Sequence, residues 1–191
     1  MHSLSVAAEY HTSTAHFLND YQGKCANLHG HNYEFAVRVT LATAKEDAPA
    51  LNAAAMLVDF GDLKAFMRAF LEPWDHALLV PMTEEEVDNF IEASGGLENL
   101  GVWGLRDRAR IIGFGVNPTA EAMSQRIAAA LVKNLEEGKL RLPKHAASVL
   151  TDISVQVQVK ETPGCSALAS ASCDIRKLMW LSYEPVIGGD A

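Results

Sequence analysis

Tyr33, Phe35, Val37, Val39 and Leu41 alternate with Glu34, Ala36, Arg38 and Thr40. Residues two apart in an extended chain share a face, so this run is a half-buried strand with one apolar and one polar side. It leaves directly from Cys25-Ala-Asn-Leu-His29-Gly-His31-Asn-Tyr33. His29 and His31 therefore lie on one face, where two imidazoles can grip one metal ion from the same side. Residues 4–11 are a plausible partner strand, joined through the loop carrying Asn19, Asp20 and Gly23. Antiparallel pairing would return His16 to the pair as a third ligand. Three neutral nitrogens leave a fourth tetrahedral position open, the pattern of a catalytic rather than a structural zinc site.

The rest of the chain supplies cover for that strand. Leu57-Val58-Asp59-Phe60 reads as a short strand. Leu63, Phe66, Met67, Phe70 and Leu71 recur at helical spacing and stop before Pro73. A second helix opens at Asn117-Pro118-Thr119, with Asn117 as the cap and Pro118 at the first helical position. It turns Met123, Ile127, Leu131 and Leu135 inward and ends near Gly138. Val155, Val157 and Val159 then alternate with polar neighbours as a late strand. Strands, helix, helix, strands is an α+β order, with helices on an antiparallel sheet. Residues 80–112 interrupt it. There Thr83 and Glu86 form a capping-box signature, which predicts an acidic helix over 84–94 closed by Gly95-Gly96. A loop through Gly101 and Gly104 leads to the apolar Ile111-Ile112-Gly113-Phe114, and the end of the chain, with Pro185 and Gly188-Gly189, reads as a tail.

Bulk properties exclude several classes. The 191 residues suit one domain, residues 1–191. A formal charge of −8 with no dense Lys/Arg run argues against a nucleic-acid surface. No apolar run is long enough to span a bilayer, so no membrane partner is expected. Three cysteines without a disulfide-like pattern, and no signal-peptide features at the N-terminus, lead us to expect a cytoplasmic protein.

An isolated His-x-His pair is ordinarily just two surface or core histidines. Here His16 and Cys25 must be explained with it. Cys25 follows Lys24 in a polar, glycine-containing loop rather than an apolar stripe, the setting of a proton-transfer group beside a metal; general base is the favoured role and covalent attack the other. Asp75-His76 is an acid–imidazole pair in which the carboxylate can fix the ring tautomer. Glu161, at the end of the valine strand, can accept two hydrogen bonds from a heterocycle bearing adjacent N–H donors. Glu121, in the first turn of the second helix, compensates the helix dipole.

Taken in order, Ala15-His16, Cys25-x-x-x-His29-Gly30-His31-Asn32-Tyr33, Asp59-Phe60 with Leu63-Lys64, Asp75-His76, Pro118-Thr119-Ala120-Glu121 and Lys160-Glu161-Thr162 resemble the 6-pyruvoyltetrahydropterin synthase and 6-carboxytetrahydropterin synthase family, over roughly residues 4–165. The resemblance implies a tunnelling fold: a four-stranded antiparallel sheet with two helices on one face. In that family trimers close into a twelve-stranded β-barrel, two trimers stack as a homohexamer, and active sites lie between subunits. It implies zinc on His16, His29 and His31, Cys25 as general base with Asp75 and His76 as its partner dyad, Glu161 as the pterin anchor, and Thr119 and Glu121 lining the pterin pocket. The implied substrate is 7,8-dihydroneopterin triphosphate, with no nicotinamide or flavin. Carboxy-forming members place three residues between the cysteine and His-Gly-His and pyruvoyl-forming members five; Ala26, Asn27 and Leu28 make three. This implies 6-carboxytetrahydropterin synthase of the queuosine branch, a lyase that releases acetaldehyde and triphosphate. The alternatives are the pyruvoyl-forming enzyme and a non-catalytic pterin- or zinc-binding paralogue. The 80–112 insertion, the lack of an aromatic residue after Glu161 and a C-terminal extension from about residue 174 depart from the family pattern.

Overall fold

The N-terminal strand is longer than its apolar pattern suggests. In a computed structural model, which describes residues 2–43, 56–100, 107–142, 150–174 and 178, β1 (His2–His16) and β2 (His29–Thr43) pair antiparallel along their whole length. Thr12 and Thr14 continue the inward face of β1 beyond its apolar part. Their hydroxyls lie 2.7 Å apart, and that of Thr14 donates to the Trp74 carbonyl at 2.9 Å, so neither is buried without a partner.

Leu57–Phe60 is not a strand. Leu57 and Val58 are buried in a bend, and the Asp59 carboxylate accepts from Gly61 N–H at 2.7 Å, so the chain turns straight into α1 (Phe60–Leu71). That helix buries Leu63, Phe66, Met67 and Leu71 and ends before Pro73. The insertion then builds a β–α–β unit: β3 (Leu78–Val80), α2 (Glu84–Ala93) with the expected capping box, and β4 (Ile111–Gly113). β4 runs parallel to β3, which needs the helical crossover between them, and β3 runs parallel to β1 at Ala15 and His16. α3 (Ala120–Glu136) turns Met123, Ile127, Leu131 and Leu135 into the core and is followed by Gly138 at φ 70°. β5 (Leu150–Thr162) and β6 (Cys165–Cys173) close the sheet as a hairpin around Pro163-Gly164.

Among the described residues one sheet of six strands results, in the order β4-β3-β1-β2-β5-β6, with three α-helices. The expected four strands are β1, β2, β5 and β6, with α1 and α3 as the two helices; β3 and β4, joined through α2, extend the sheet beyond β1. Tyr33 to Leu41 on β2 faces Ile153 to Val159 on β5, and α1 and α3 cover that single face. Each fully buried side chain there contributes roughly 1.5–3 kcal/mol relative to exposure. A one-residue slip would turn the whole set outward, so the register that aligns the histidines is fixed by the core. A smaller cluster of Val80, Val87 and Ile111 packs under α2. No helix among the described residues is long and apolar enough to cross a membrane. The C-terminal extension lies outside the described residues apart from Asp174 and Leu178, the latter buried in the main core.

Candidate functional site

The histidines meet where β1 ends and β2 begins. His16 is paired with His29 across the ladder, and His31 lies opposite Thr14. The His16 ring centroid is 4.5 Å from that of His29 and 5.4 Å from that of His31, and the last two are 4.9 Å apart. One nitrogen of each lies within 4.8 Å of the others. His16 Nδ1 is 2.8 Å from the Pro118 carbonyl and His29 Nδ1 is 2.7 Å from the Asn27 carbonyl. A carbonyl only accepts, so each Nδ1 bears the proton and each Nε2 presents a lone pair. Nε2 of His29 and of His31 is buried with no hydrogen-bond partner among the described residues. Burial, joined by the neighbouring imidazoles, holds His16 below the ordinary imidazole range, and burial does the same to His31. Three converging imidazole nitrogens, two of them buried without a partner among the described residues, fit a metal ion.

Glu161 reaches the same point through a β-bulge. The β5–β6 register shifts between Lys160 and Thr162, leaving Glu161 as the extra residue, and bulges of this kind re-aim a side chain. Its Oε1 lies 3.0 Å from the Tyr33 hydroxyl, 3.3 Å from His16 Nε2 and 3.4 Å from His31 Nε2. Burial first, and then the Glu161 carboxylate, drive the Tyr33 phenol far above its usual range, so it stays protonated and donates. Its oxygen is also 3.1 Å from His16 Nε2. In the sequence Tyr33 is the first core residue of the strand and the last residue of the histidine motif, with no role of its own. The available signal was its position two residues after His31, on the same strand face.

A cavity of about 240 Å³ opens beside His16, lined by Cys25, Thr119, Glu121, Glu161 and Cys165 among others. Cys25, half-buried, sits in a 3₁₀ turn over Lys24–Ala26, and its carbonyl accepts from Leu18 N–H at 2.9 Å, which ties the turn to the end of β1. Thr119, not Asn117, caps α3, its hydroxyl accepting from Ala122 N–H at 3.3 Å. Asn117 is otherwise engaged: its amide donates to the Asn19 carbonyl at 2.9 Å and accepts from Asn19 N–H at 2.8 Å. Pro118 thus lies before the cap, where its carbonyl is available to His16. Glu121 is in the first turn of α3, as expected.

Asp75 and His76 stand elsewhere in the chain. His76 borders a second groove, of about 550 Å³, with Ser13, His31, Asn32, Asp107 and Arg110. His16 lines the first cavity and His31 the second. The Asp75 carboxylate accepts from Ser13 N–H at 2.7 Å and lies 3.0 Å from His76 Nδ1. Chiefly the Ser13 N–H, then His76 and the Arg110 charge, hold Asp75 below the ordinary carboxylate range. His76 has φ 55°, a left-handed conformation that costs a residue with a Cβ roughly 1–2 kcal/mol. One chain therefore joins the metal-ligand candidates to Cys25, Thr119, Glu121 and Glu161, but it does not bring the Asp75–His76 pair into the Cys25 cavity.

A family model described as 6-pyruvoyl tetrahydropterin synthase matches residues 5–171. A Haemophilus influenzae protein named 6-carboxy-5,6,7,8-tetrahydropterin synthase is 37% identical over 42% of this chain and 55% of its own length. A Halobacterium salinarum protein, named a probable 6-carboxy-5,6,7,8-tetrahydropterin synthase, is 30% identical over 81% of this chain and 79% of its own. The chain thus spans little more than half of the first relative and most of the second. Among solved structures, 6-pyruvoyl tetrahydropterin synthase from Plasmodium vivax superposes with a TM-score of 0.59 at 16% identity, covering 90% of this chain and 99% of that one. At that identity the likeness is one of fold.

Proposed function

Because the chain belongs to the 6-pyruvoyl tetrahydropterin synthase family, we propose that it is a zinc-dependent 6-carboxy-5,6,7,8-tetrahydropterin synthase of the queuosine branch, converting 7,8-dihydroneopterin triphosphate to 6-carboxytetrahydropterin, acetaldehyde and triphosphate. The observation that carries this reading is the single cavity in which His16, Cys25, Thr119, Glu121 and Glu161 converge. The three-residue spacing from Cys25 to His29 and the names of the relatives favour the carboxy-forming reaction.

In this reading His16, His29 and His31 hold zinc, for which neutral imidazoles are suited donors. Bound there, the ion supplies Lewis acidity to the hydroxyls of the substrate side chain. Glu161 accepts from the amino and lactam N–H groups of the pterin, and the Tyr33 hydroxyl, donating to its Oε1, keeps the carboxylate aimed. Thr119 and Glu121 line the ring pocket. Cys25 takes and returns protons at the carbons of the substrate side chain. Asp75 fixes the His76 tautomer with the proton on Nδ1, so that Nε2 exchanges protons in the relay.

An oligomer completes the site. β6 forms one margin of the sheet, and among the described residues β1 has no strand on its outer side before Ala15. Two open edges on one chain favour pairing with copies of itself. β1 of one copy against β6 of the next, three times over, closes a barrel, and two such trimers stack. The Asp75–His76 pair of one copy then serves the Cys25 cavity of another.

The deciding experiment incubates zinc-loaded protein with 7,8-dihydroneopterin triphosphate and assays acetaldehyde and the pterin product. Acetaldehyde with 6-carboxytetrahydropterin supports the reading. A pyruvoyl product without acetaldehyde keeps the family and overturns the reaction. No turnover with zinc bound points to a binding paralogue.

A further inference from the structure

Residues 74–77 form a β-turn whose geometry conflicts with its sequence. Asp75 has φ −69° and ψ 129°, His76 has φ 55°, and Ala77 N–H donates to the Trp74 carbonyl at 3.2 Å. This is a type II turn, whose third position requires a positive φ and normally takes glycine or asparagine. Histidine occupies it here. Rotating the single peptide between Asp75 and His76 would convert the turn to type I, in which the third residue has a negative φ that histidine adopts without strain.

Both ends of that peptide are held. His76 N–H donates to the Ser13 carbonyl at 2.7 Å, and the Asp75 carbonyl accepts from Arg110 Nη1 at 2.9 Å. Arg110 belongs to the inserted segment, and its position is itself braced. Asp107 accepts from Ala109 N–H at 2.9 Å and from Arg110 N–H through its carbonyl at 3.0 Å, while Arg108 reaches Glu84 and Asp88 of α2 at 2.7 Å each. The inserted segment therefore places a braced guanidinium on the carbonyl that would have to swing.

We propose that Arg110 is a positioning residue for the Asp75–His76 pair: it locks the intervening peptide in the type II orientation and so fixes the direction in which His76 presents its imidazole. The insertion at 80–112 thereby acquires a role in the reaction without touching the substrate. The catalytic half of this inference rests on the relay role proposed above for His76; the conformational half does not.

The test compares the wild-type protein with Arg110→Ala, Arg110→Lys, His76→Ala and the double variant His76→Ala/Arg110→Ala. A small misplacement of a catalytic group is enough to lower kcat by roughly 10- to 100-fold, and that is the loss expected for Arg110→Ala, with KM, zinc content and melting temperature unchanged. Arg110→Lys, whose ammonium can still donate to the carbonyl, restores part of kcat. In the His76→Ala background the Arg110 substitution costs nothing further, because it acts through the missing ring. An unchanged kcat in Arg110→Ala, or a loss that persists undiminished without His76, overturns the proposal. A crystal structure of Arg110→Ala gives a readout independent of activity: a type I turn supports the clamp and a retained type II turn overturns it. If the wild-type protein shows no turnover of 7,8-dihydroneopterin triphosphate, the functional reading fails, and the turn geometry in the variant still decides the clamp.

Discussion

Glu161 and the three histidines show how few residues separate a site from an ordinary sheet end. The histidines were legible because strand alternation is a local rule, and pairing His16 with His29 is the simplest closure of the first hairpin. The contribution of Tyr33 was not legible: its hydroxyl meets Glu161 only because β2 and β5 are neighbours, and the two residues are 128 apart in sequence. Replacing Glu161 with Ala removes an acceptor that faces both the ring pocket and the Tyr33 phenol. We expect pterin binding, measured by calorimetry, to weaken by roughly 2–5 kcal/mol, as for truncation of one partner in a buried charged contact. Unchanged affinity would return Glu161 to the role of a solvated strand end. For Cys25→Ala the expected loss in kcat is about 10²–10⁴-fold, the usual contribution of a positioned acid–base group, with metal content retained. Turnover near that of the wild type would remove the thiol from the mechanism.

At the scale of elements, patterns spanning many residues were read correctly and three-residue pieces were not. α1, α2 and α3 each show a buried stripe or a cap in the sequence, but β3 and β4 are too short for a period of two to register. β6 is built from Ser, Ala and Cys apart from Leu168, which is exposed, so it has little hydropathy contrast to detect. The cap of α3 moved from Asn117 to Thr119 because a loop distant in sequence claims the asparagine. Within the inserted unit α2 is seated on β4 through Gly113, where an added Cβ would run into the backbone of Thr83 and Glu84 and whose N–H donates to Glu84 Oε1 at 2.8 Å. Gly113→Ala should therefore destabilise by about 1–3 kcal/mol, the cost of overpacking, seen as a lower melting temperature. Gly164→Ala is the control: a Cβ there meets nothing within 4 Å, so its effect should stay within about 0.5 kcal/mol. Equal melting temperatures for the two variants would mean that α2 is not seated by this contact.

For the whole molecule, folding and metal binding share the same imidazoles. Burial keeps His16 and His31 below the ordinary value of 6.5, so the unfolded chain takes up protons that the folded chain refuses. Stability of the metal-free protein is then full above pH 6.5 and falls as the pH drops below it, because the unfolded state binds more protons in that window. A bound cation competes with those protons and stabilises only the folded state, by about 2.7 kcal/mol at a free concentration one hundred times Kd. Melting curves of chelator-treated and zinc-loaded protein across pH 5–8 check both points. A metal-free protein that becomes more stable on acidification would contradict the burial argument. Light scattering tests the assembly: six chains are expected in solution, and a monodisperse monomer would separate the Asp75–His76 pair from Cys25 for good.

The sequence by itself determined the sheet face, the shared side of His29 and His31, the two core helices and the capped helix in the insertion. Each follows from periodicity or capping within a few residues, where side-chain direction is set by local backbone geometry. Only the tertiary structure decided that Tyr33 and Glu161 share a hydrogen bond, that the insertion adds two parallel strands, and that His76 stands in a turn meant for glycine. Those features arise where distant segments meet, and the free energy that holds them comes from contacts no local pattern records.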